Sequence, residues 1–171
     1  VEHLKALVRA IPDFPIPGIL FRDVTPLLRD PRGLAEVVER FREAYRDAGI
    51  GAVAGIESRG FIFGAPLAMA LGVGFVPIRK PGRLPYDKVS REYALEYGTN
   101  VLEMHADAVH PGERVLIVDD LLATGGTAAA SAHLVEALGG VVAGLAFVIE
   151  LEFLEGRKAL EGYDLLSLIR Y

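Results

Sequence analysis

From residue 31 to 49, apolar side chains return at helical intervals. Leu34, Val37, Val38, Phe41 and Tyr45 share one face, while Glu36, Glu39, Arg40 and Arg42 fill the gaps between them. Asp30-Pro31 ahead of the run has the form of a helix cap followed by a first-turn proline, and Gly49 supplies a stop. The pattern then changes. Ala52-Val53-Ala54-Gly55-Ile56 has no charged or polar side chain, and neither has Val115-Leu116-Ile117-Val118; residues 74–78 and 141–149 read the same way. Runs this short and uninterrupted predict strands buried on both faces. Helices are predicted over 60–71 and 127–138, the second closed by Gly139-Gly140.

Apolar strands alternating with helices predict an α/β fold, a parallel sheet with helices on both faces. No repeat, low-complexity tract or linker divides the chain, so residues 1–171 read as a single domain. Ligands of such sheets collect at the carboxyl ends of the strands, which singles out the loops after Ile56, Ile78, Val118 and Ile149. Residues 79–98 break the rhythm. Lys80-Pro81-Gly82, Leu84-Pro85 and several charges predict a loop close to the longest a compact domain carries. It holds Tyr93, Leu95 and Tyr97, which a merely solvated loop does not need, and this points to a lid.

Composition narrows the field. At 171 residues and 51% apolar, the chain can bury a sizeable core. It has no Cys, which excludes disulfides and thiolate metal sites, and His3, His105, His110 and His133 do not have zinc-ligand spacing. A net charge of −5 argues against a nucleic-acid partner, although a local group of cations and backbone amides can still hold a small anion. The longest apolar runs are too short to cross a bilayer, and the amphipathic start with Glu2, Lys5 and Arg9 lacks the form of a signal peptide. A cytoplasmic protein with no membrane partner is expected.

The chemistry concentrates after the clearest strand, in Asp119-Asp120-Leu121-Leu122-Ala123-Thr124-Gly125-Gly126-Thr127. Two carboxylates are followed by a turn of small residues that opens a helix. Gly125 and Gly126 let backbone N–H groups converge, the helix N-terminus adds partial positive charge, and Thr124 and Thr127 bring hydroxyl donors. This describes a monophosphate cradle. No Lys follows the glycines, so it is not a Walker loop, and it is not a GxGxxG dinucleotide turn. Carboxylates beside a phosphate suit a sugar phosphate, whose hydroxyls they would hold; a capped, shortened turn would use the same residues.

The run resembles the signature of type I phosphoribosyltransferases. That resemblance implies that Ala123, Thr124, Gly125, Gly126 and Thr127 bind the 5′-phosphate of 5-phosphoribosyl 1-diphosphate, and that Asp119 and Asp120 hold the ribose hydroxyls. Three further segments, each in its place in the order, are similar to the adenine-specific family. Asp13-Phe14-Pro15-Ile16-Pro17-Gly18-Ile19-Leu20-Phe21-Arg22-Asp23 resembles its base-binding hood, within about residues 1–30 ahead of a core of about 31–171. The likeness implies Phe21 stacked on adenine, backbone groups around Leu20 and Arg22 at its edge, and Leu151 under the ring. Gly55-Ile56-Glu57-Ser58-Arg59-Gly60-Phe61-Ile62-Phe63-Gly64 looks like the diphosphate loop, with a cis peptide at Glu57-Ser58 and with Ser58 and Arg59 as contacts; Glu57 receives no role beyond the loop.

Pro77-Ile78-Arg79-Lys80-Pro81-Gly82-Arg83-Leu84-Pro85 and Tyr93-Ala94-Leu95-Glu96-Tyr97-Gly98 match the mobile lid, about 79–98. The match implies Arg79 and Arg83 on the diphosphate with Lys80 assisting, and Glu96 as general acid/base with Tyr97 beside it. Residues 85–91 agree least. The implied reaction is a purine-salvage step in which adenine and the diphosphate donor give AMP and diphosphate. Mg²⁺ would be bound mainly through the donor, with no direct protein ligand. A homodimer is also implied, with Phe61-Ile62-Phe63 as the apolar patch. Two other readings compete: a transferase for 6-oxopurines, against which the Asp-Phe-Pro and Leu-Glu-Tyr-Gly segments speak, and a non-catalytic sensor of the donor, which would need a nucleic-acid-binding segment.

Overall fold

A computed structural model describes residues 1–95 and 97–171. In chain order the elements are α1 (Glu2–Ala6), β1 (Arg9–Pro12), β2 (Leu20–Asp23), α2 (Thr25–Arg29), α3 (Pro31–Tyr45), β3 (Ala52–Ile56), α4 (Arg59–Leu71), β4 (Gly74–Ile78), β5 (Lys88–Leu95), β6 (Gly98–His105), β7 (Arg114–Leu122), α5 (Gly126–Ala137), β8 (Val141–Glu150) and β9 (Leu165–Arg170). Two short 3-10 turns, Glu152–Leu154 and Gly156–Leu160, join β8 to β9. β3, β4, β7, β8 and β9 form a parallel sheet in the order β4-β3-β7-β8-β9.

The sheet divides the core in two, because successive side chains of a strand point to opposite faces. Val115 and Ile117 of β7 pack with Leu134 of α5 and Phe147, while Leu116 and Val118 pack with Phe41 of α3 and Phe63 of α4. Asp30 caps α3, its carboxylate accepting the Gly33 N–H at 2.7 Å, and Pro31 starts the helix as the sequence predicts. The helix ends at Tyr45, short of Gly49. β7 runs through Leu122, past both carboxylates, because its pairing with β8 continues to Leu122↔Glu150.

Residues 79–98 are not one long loop. From Lys88 onward the chain pairs antiparallel with β6, from Lys88↔His105 to Leu95↔Gly98, as a separate two-stranded sheet. Charged and polar side chains along β5 hide that strand from a reading based on apolar runs. The remaining segment, 79–87, is tied to β6 through the carboxylate of Glu103, which accepts the Gly82 N–H at 2.9 Å and the Ser90 hydroxyl at 3.1 Å. Buried Leu84 adds an apolar anchor. A second hairpin, β1–β2, builds the N-terminal hood.

Phe61-Ile62-Phe63 is not the exposed apolar patch that the sequence suggests. Phe63 is fully buried and Phe61 packs edge-on against Phe75 with ring centres 5.7 Å apart; Ile62 alone of the three is exposed. The reason is helical: three consecutive residues span most of a turn, so they cannot share one face. Among the described residues no helix is long and apolar enough to cross a membrane.

Candidate active site

The cradle is a cavity of about 80 Å³ at the carboxyl end of β7, lined by Asp119, Leu121–Ala128 and Phe147. Of the seven residues predicted to hold the sugar phosphate, six line it: Asp119, Ala123, Thr124, Gly125, Gly126 and Thr127. Asp120 does not. Strand alternation sends Asp119 into the cavity and turns Asp120 to the α4 face, where its buried carboxylate accepts a hydrogen bond from Nε of Arg59 in the first turn of α4. Gly60, next to Arg59, permits this close approach: a Cβ there would stand 2.8 Å from the Val118 carbonyl oxygen. Burial pushes the Asp119 carboxyl well above its ordinary range, and the adjacent Asp120 charge adds to the shift; the Asp120 N–H and Arg59 oppose it.

Gly125 has φ +88°, and α5 begins at the next residue. A Cβ on Gly125 would lie 2.5 Å from the Gly156 carbonyl oxygen, and one on Gly156 would lie 2.4 Å from the Ala123 carbonyl oxygen. The cradle thus rests backbone to backbone on the turn Gly156–Leu160, a support that no motif announces. That turn is held in its own right. Arg157 donates Nε to Glu150 Oε1 at 2.7 Å and Nη2 to Oε2 at 2.8 Å, and the Ser167 hydroxyl of β9 donates to the same buried carboxylate.

Burial works to raise the pKa of Glu150, but the bonds from Arg157 and Ser167 and the charges of Arg157 and Arg170 outweigh it, and the net shift is downward. An acid whose pKa is lowered on folding contributes stability above its unfolded pKa and loses it as pH falls through the folded value. Arg157→Leu leaves the burial and removes the main opposing bonds. It should cost about 1–2 kcal/mol at neutral pH, since Arg170 and Ser167 remain and Arg157 is partly in water. Its acid-unfolding midpoint, followed by circular dichroism, should move to higher pH. An unchanged midpoint would mean that Arg157 does not hold Glu150.

The predicted diphosphate contacts lie on two segments, the start of α4 and residues 79–87. The Glu57-Ser58 peptide is cis, as the resemblance implied. Ser58 and Arg59 are exposed at the start of α4, and Lys80 and Arg83 are exposed on the 79–87 segment. Arg79 donates Nε to Glu57 Oε1 at 2.6 Å and stands 5.9 Å from the Phe61 ring centre. Glu57, given no role by the sequence, therefore orients a candidate diphosphate ligand. Among the described residues no group of three or more His, Cys, Asp or Glu side chains could hold a metal ion.

A second cleft, about 280 Å³, lies between the hood and the segment after β8. Leu20, Arg22 and Leu151 line it with Gly18, Ile19, Phe153 and Leu154. Three of the four predicted adenine contacts meet here. The fourth, Phe21, is not in the lining; its ring meets Phe14 edge-on at 5.1 Å. The Arg22 guanidinium stacks on Tyr171 at 3.6 Å and Lys5 approaches the same ring at 4.4 Å, which ties the hood to the end of β9. Tyr97, beyond the end of β5, is 92% exposed. Glu96 lies outside the described residues.

A parallel sheet with a small-residue turn, a carboxylate and a helix start gathered at one strand end defines a sugar-phosphate-binding α/β protein, and the chain matches the phosphoribosyl transferase domain over residues 23–165. It is 59% identical to an adenine phosphoribosyltransferase of Solibacter usitatus over 171 residues, 100% of this chain and 99% of that protein. The crystal structure of the Thermoanaerobacter pseudethanolicus adenine phosphoribosyltransferase superposes with a TM-score of 0.96 at 56% identity, covering 99% of each chain. That of the Saccharomyces cerevisiae adenine phosphoribosyltransferase, complexed with an imino-altritol bisphosphate and adenine, gives 0.93 at 43% identity, covering 98% of this chain and 97% of that one. The chain belongs to the adenine phosphoribosyltransferase family.

Proposed function

We propose that the chain transfers the phosphoribosyl group of 5-phosphoribosyl 1-diphosphate to adenine, giving AMP and diphosphate, a purine-salvage step. The observation that carries this reading is the cradle: the five-residue turn Ala123–Thr127 and, from within β7, Asp119 around a phosphate-sized cavity at the end of that strand. Thr124, Gly125, Gly126 and Thr127 offer N–H and hydroxyl donors to the 5′-phosphate, and Asp119 faces the same space with a carboxylate for the ribose hydroxyls. The apolar cleft lined by Leu20, Arg22 and Leu151 is proposed for the purine.

Breaking the bond from C1′ to the diphosphate leaves positive charge on the ribose and negative charge on the leaving group. Arg59, Arg79 and Arg83, with Lys80 and Ser58, are proposed to stabilise the latter. Asp119 is proposed to hold the sugar in line for attack, while Asp120, turned to the α4 face, holds Arg59. Adenine N9 forms the new bond to C1′ and gives up its ring proton, which Glu96 is proposed to accept, with Tyr97 beside it. Mg²⁺, when bound mainly through the donor's diphosphate, would neutralise part of its charge without a direct protein ligand. The reading carries with it the homodimer that the resemblance implies, which a monomer in sedimentation would remove, and the cytoplasmic setting expected from the sequence.

The test is AMP formation from adenine, the donor and Mg²⁺, run beside hypoxanthine, guanine and xanthine. Turnover with adenine alone is expected. Turnover with a 6-oxopurine instead would keep the cradle and overturn the base site. Tight donor binding without turnover would favour the sensor.

A further inference from the structure

β5 stands against α5, and one side chain joins it to the cradle. The Tyr93 hydroxyl lies 3.0 Å from Thr127 Oγ1. Its ring lies over the first residue of the helix, where a Cβ on Gly126 would be 3.3 Å from Tyr93 Cδ2. The ring is partly buried and packs against the core beside α5. Two independent contacts thus set this tyrosine on the turn that holds the anion.

We infer that Tyr93 is a positioning residue for the 5′-phosphate, acting through Thr127; the inference rests on the phosphoribosyl-transfer reading above. A threonine hydroxyl has one proton to donate, and it also accepts. If Thr127 gives that proton to Tyr93, the phosphate loses a donor. If Tyr93 donates to Thr127 Oγ1, the Thr127 proton is released toward the cavity. A phosphate anion decides between the two arrangements, because a hydrogen bond to a charged acceptor is roughly twice as strong as a neutral one. The resulting chain, tyrosine to threonine to phosphate, is one in which each bond polarises the next. The ring meanwhile packs over Gly126, the first residue of α5.

AMP and adenosine differ only by the 5′-phosphate, so their binding isolates this contribution. Calorimetric titration of both into the unsubstituted chain, Tyr93→Phe, Thr127→Val and the double variant is the experiment. Tyr93→Phe keeps the ring on Gly126 and removes only the hydroxyl. It should weaken AMP about three- to tenfold, the worth of one hydrogen bond, and leave adenosine unchanged. The double variant should bind AMP no more weakly than Thr127→Val alone, because the two residues act as one chain. Equal losses for AMP and adenosine, unchanged AMP binding, or additive losses in the double variant would each overturn the assignment. An unsubstituted chain that binds AMP no better than adenosine would overturn the cradle reading itself.

Discussion

Gly125→Val should weaken binding of the phosphoribosyl donor by about tenfold or more and lower the unfolding free energy by about 2–4 kcal/mol. Two costs combine. The residue sits at φ +88°, a region that a β-branched side chain enters only with strain. Its Cβ would also meet the Gly156 carbonyl oxygen at 2.5 Å and the Ala159 Cβ at 2.9 Å. The first of these neighbours is backbone, and it has little freedom to withdraw. Gly156 itself lies against the Ala123 carbonyl, and its neighbour Arg157 is bonded through two nitrogens to buried Glu150. Relief must therefore come from the cradle side, which displaces the N–H groups that define the phosphate position.

Gly162→Val provides the control. Gly162 has φ +91° with nothing within 4 Å of an added Cβ, so it should show the conformational cost alone, about 1–2 kcal/mol, with donor binding intact. Thermal unfolding and donor titration on the two variants separate the contributions. Equal behaviour of the two would show that contact with the Gly156 turn plays no part in shaping the cradle.

Glu96→Gln should lower kcat by about 10²–10⁴-fold while leaving donor binding nearly unchanged. Glutamine keeps the size and the hydrogen-bonding oxygen of glutamate but cannot take a proton at neutral pH. The ring proton of adenine becomes more acidic as N9 bonds to C1′, so a base is needed chiefly in the transition state. Removing it therefore acts on kcat more than on ground-state affinity. Tyr97→Phe should cost far less, since its neighbour would remain to take the proton. Steady-state kinetics with adenine varied at saturating donor distinguishes these outcomes. Full turnover by Glu96→Gln would remove the residue from the mechanism and leave proton transfer to another group or to water.

Local pattern alone was enough for four of the five strands of the parallel sheet, β9 being missed, and for the small-residue turn at the end of β7. Buried parallel strands are written as continuous apolar runs, and Val115-Leu116-Ile117-Val118 followed by two acids and Thr-Gly-Gly-Thr concentrates its chemistry in one stretch of chain. A turn that uses neighbouring residues can be read from neighbouring residues. The hairpins were not legible for the opposite reason. β5 is mostly exposed, so its side chains are not selected for an apolar pattern, and its pairing with β6 follows from contacts across the hairpin.

What lies far apart in sequence was decided only by the tertiary structure. Glu57 meets Arg79, Arg59 meets Asp120, and Tyr93 meets Thr127, across 22, 61 and 34 positions. None of these pairs has a local signature, because a charged or hydroxyl-bearing residue carries no mark of the partner it will find. Gly156 is the sharpest case. In sequence it is one more turn glycine in Leu-Glu-Gly-Arg; in the fold, the absence of its Cβ lets two backbone segments touch and so sets the floor of the cradle. The chemistry of the site was written locally, and its geometry depends on how closely distant backbones can approach.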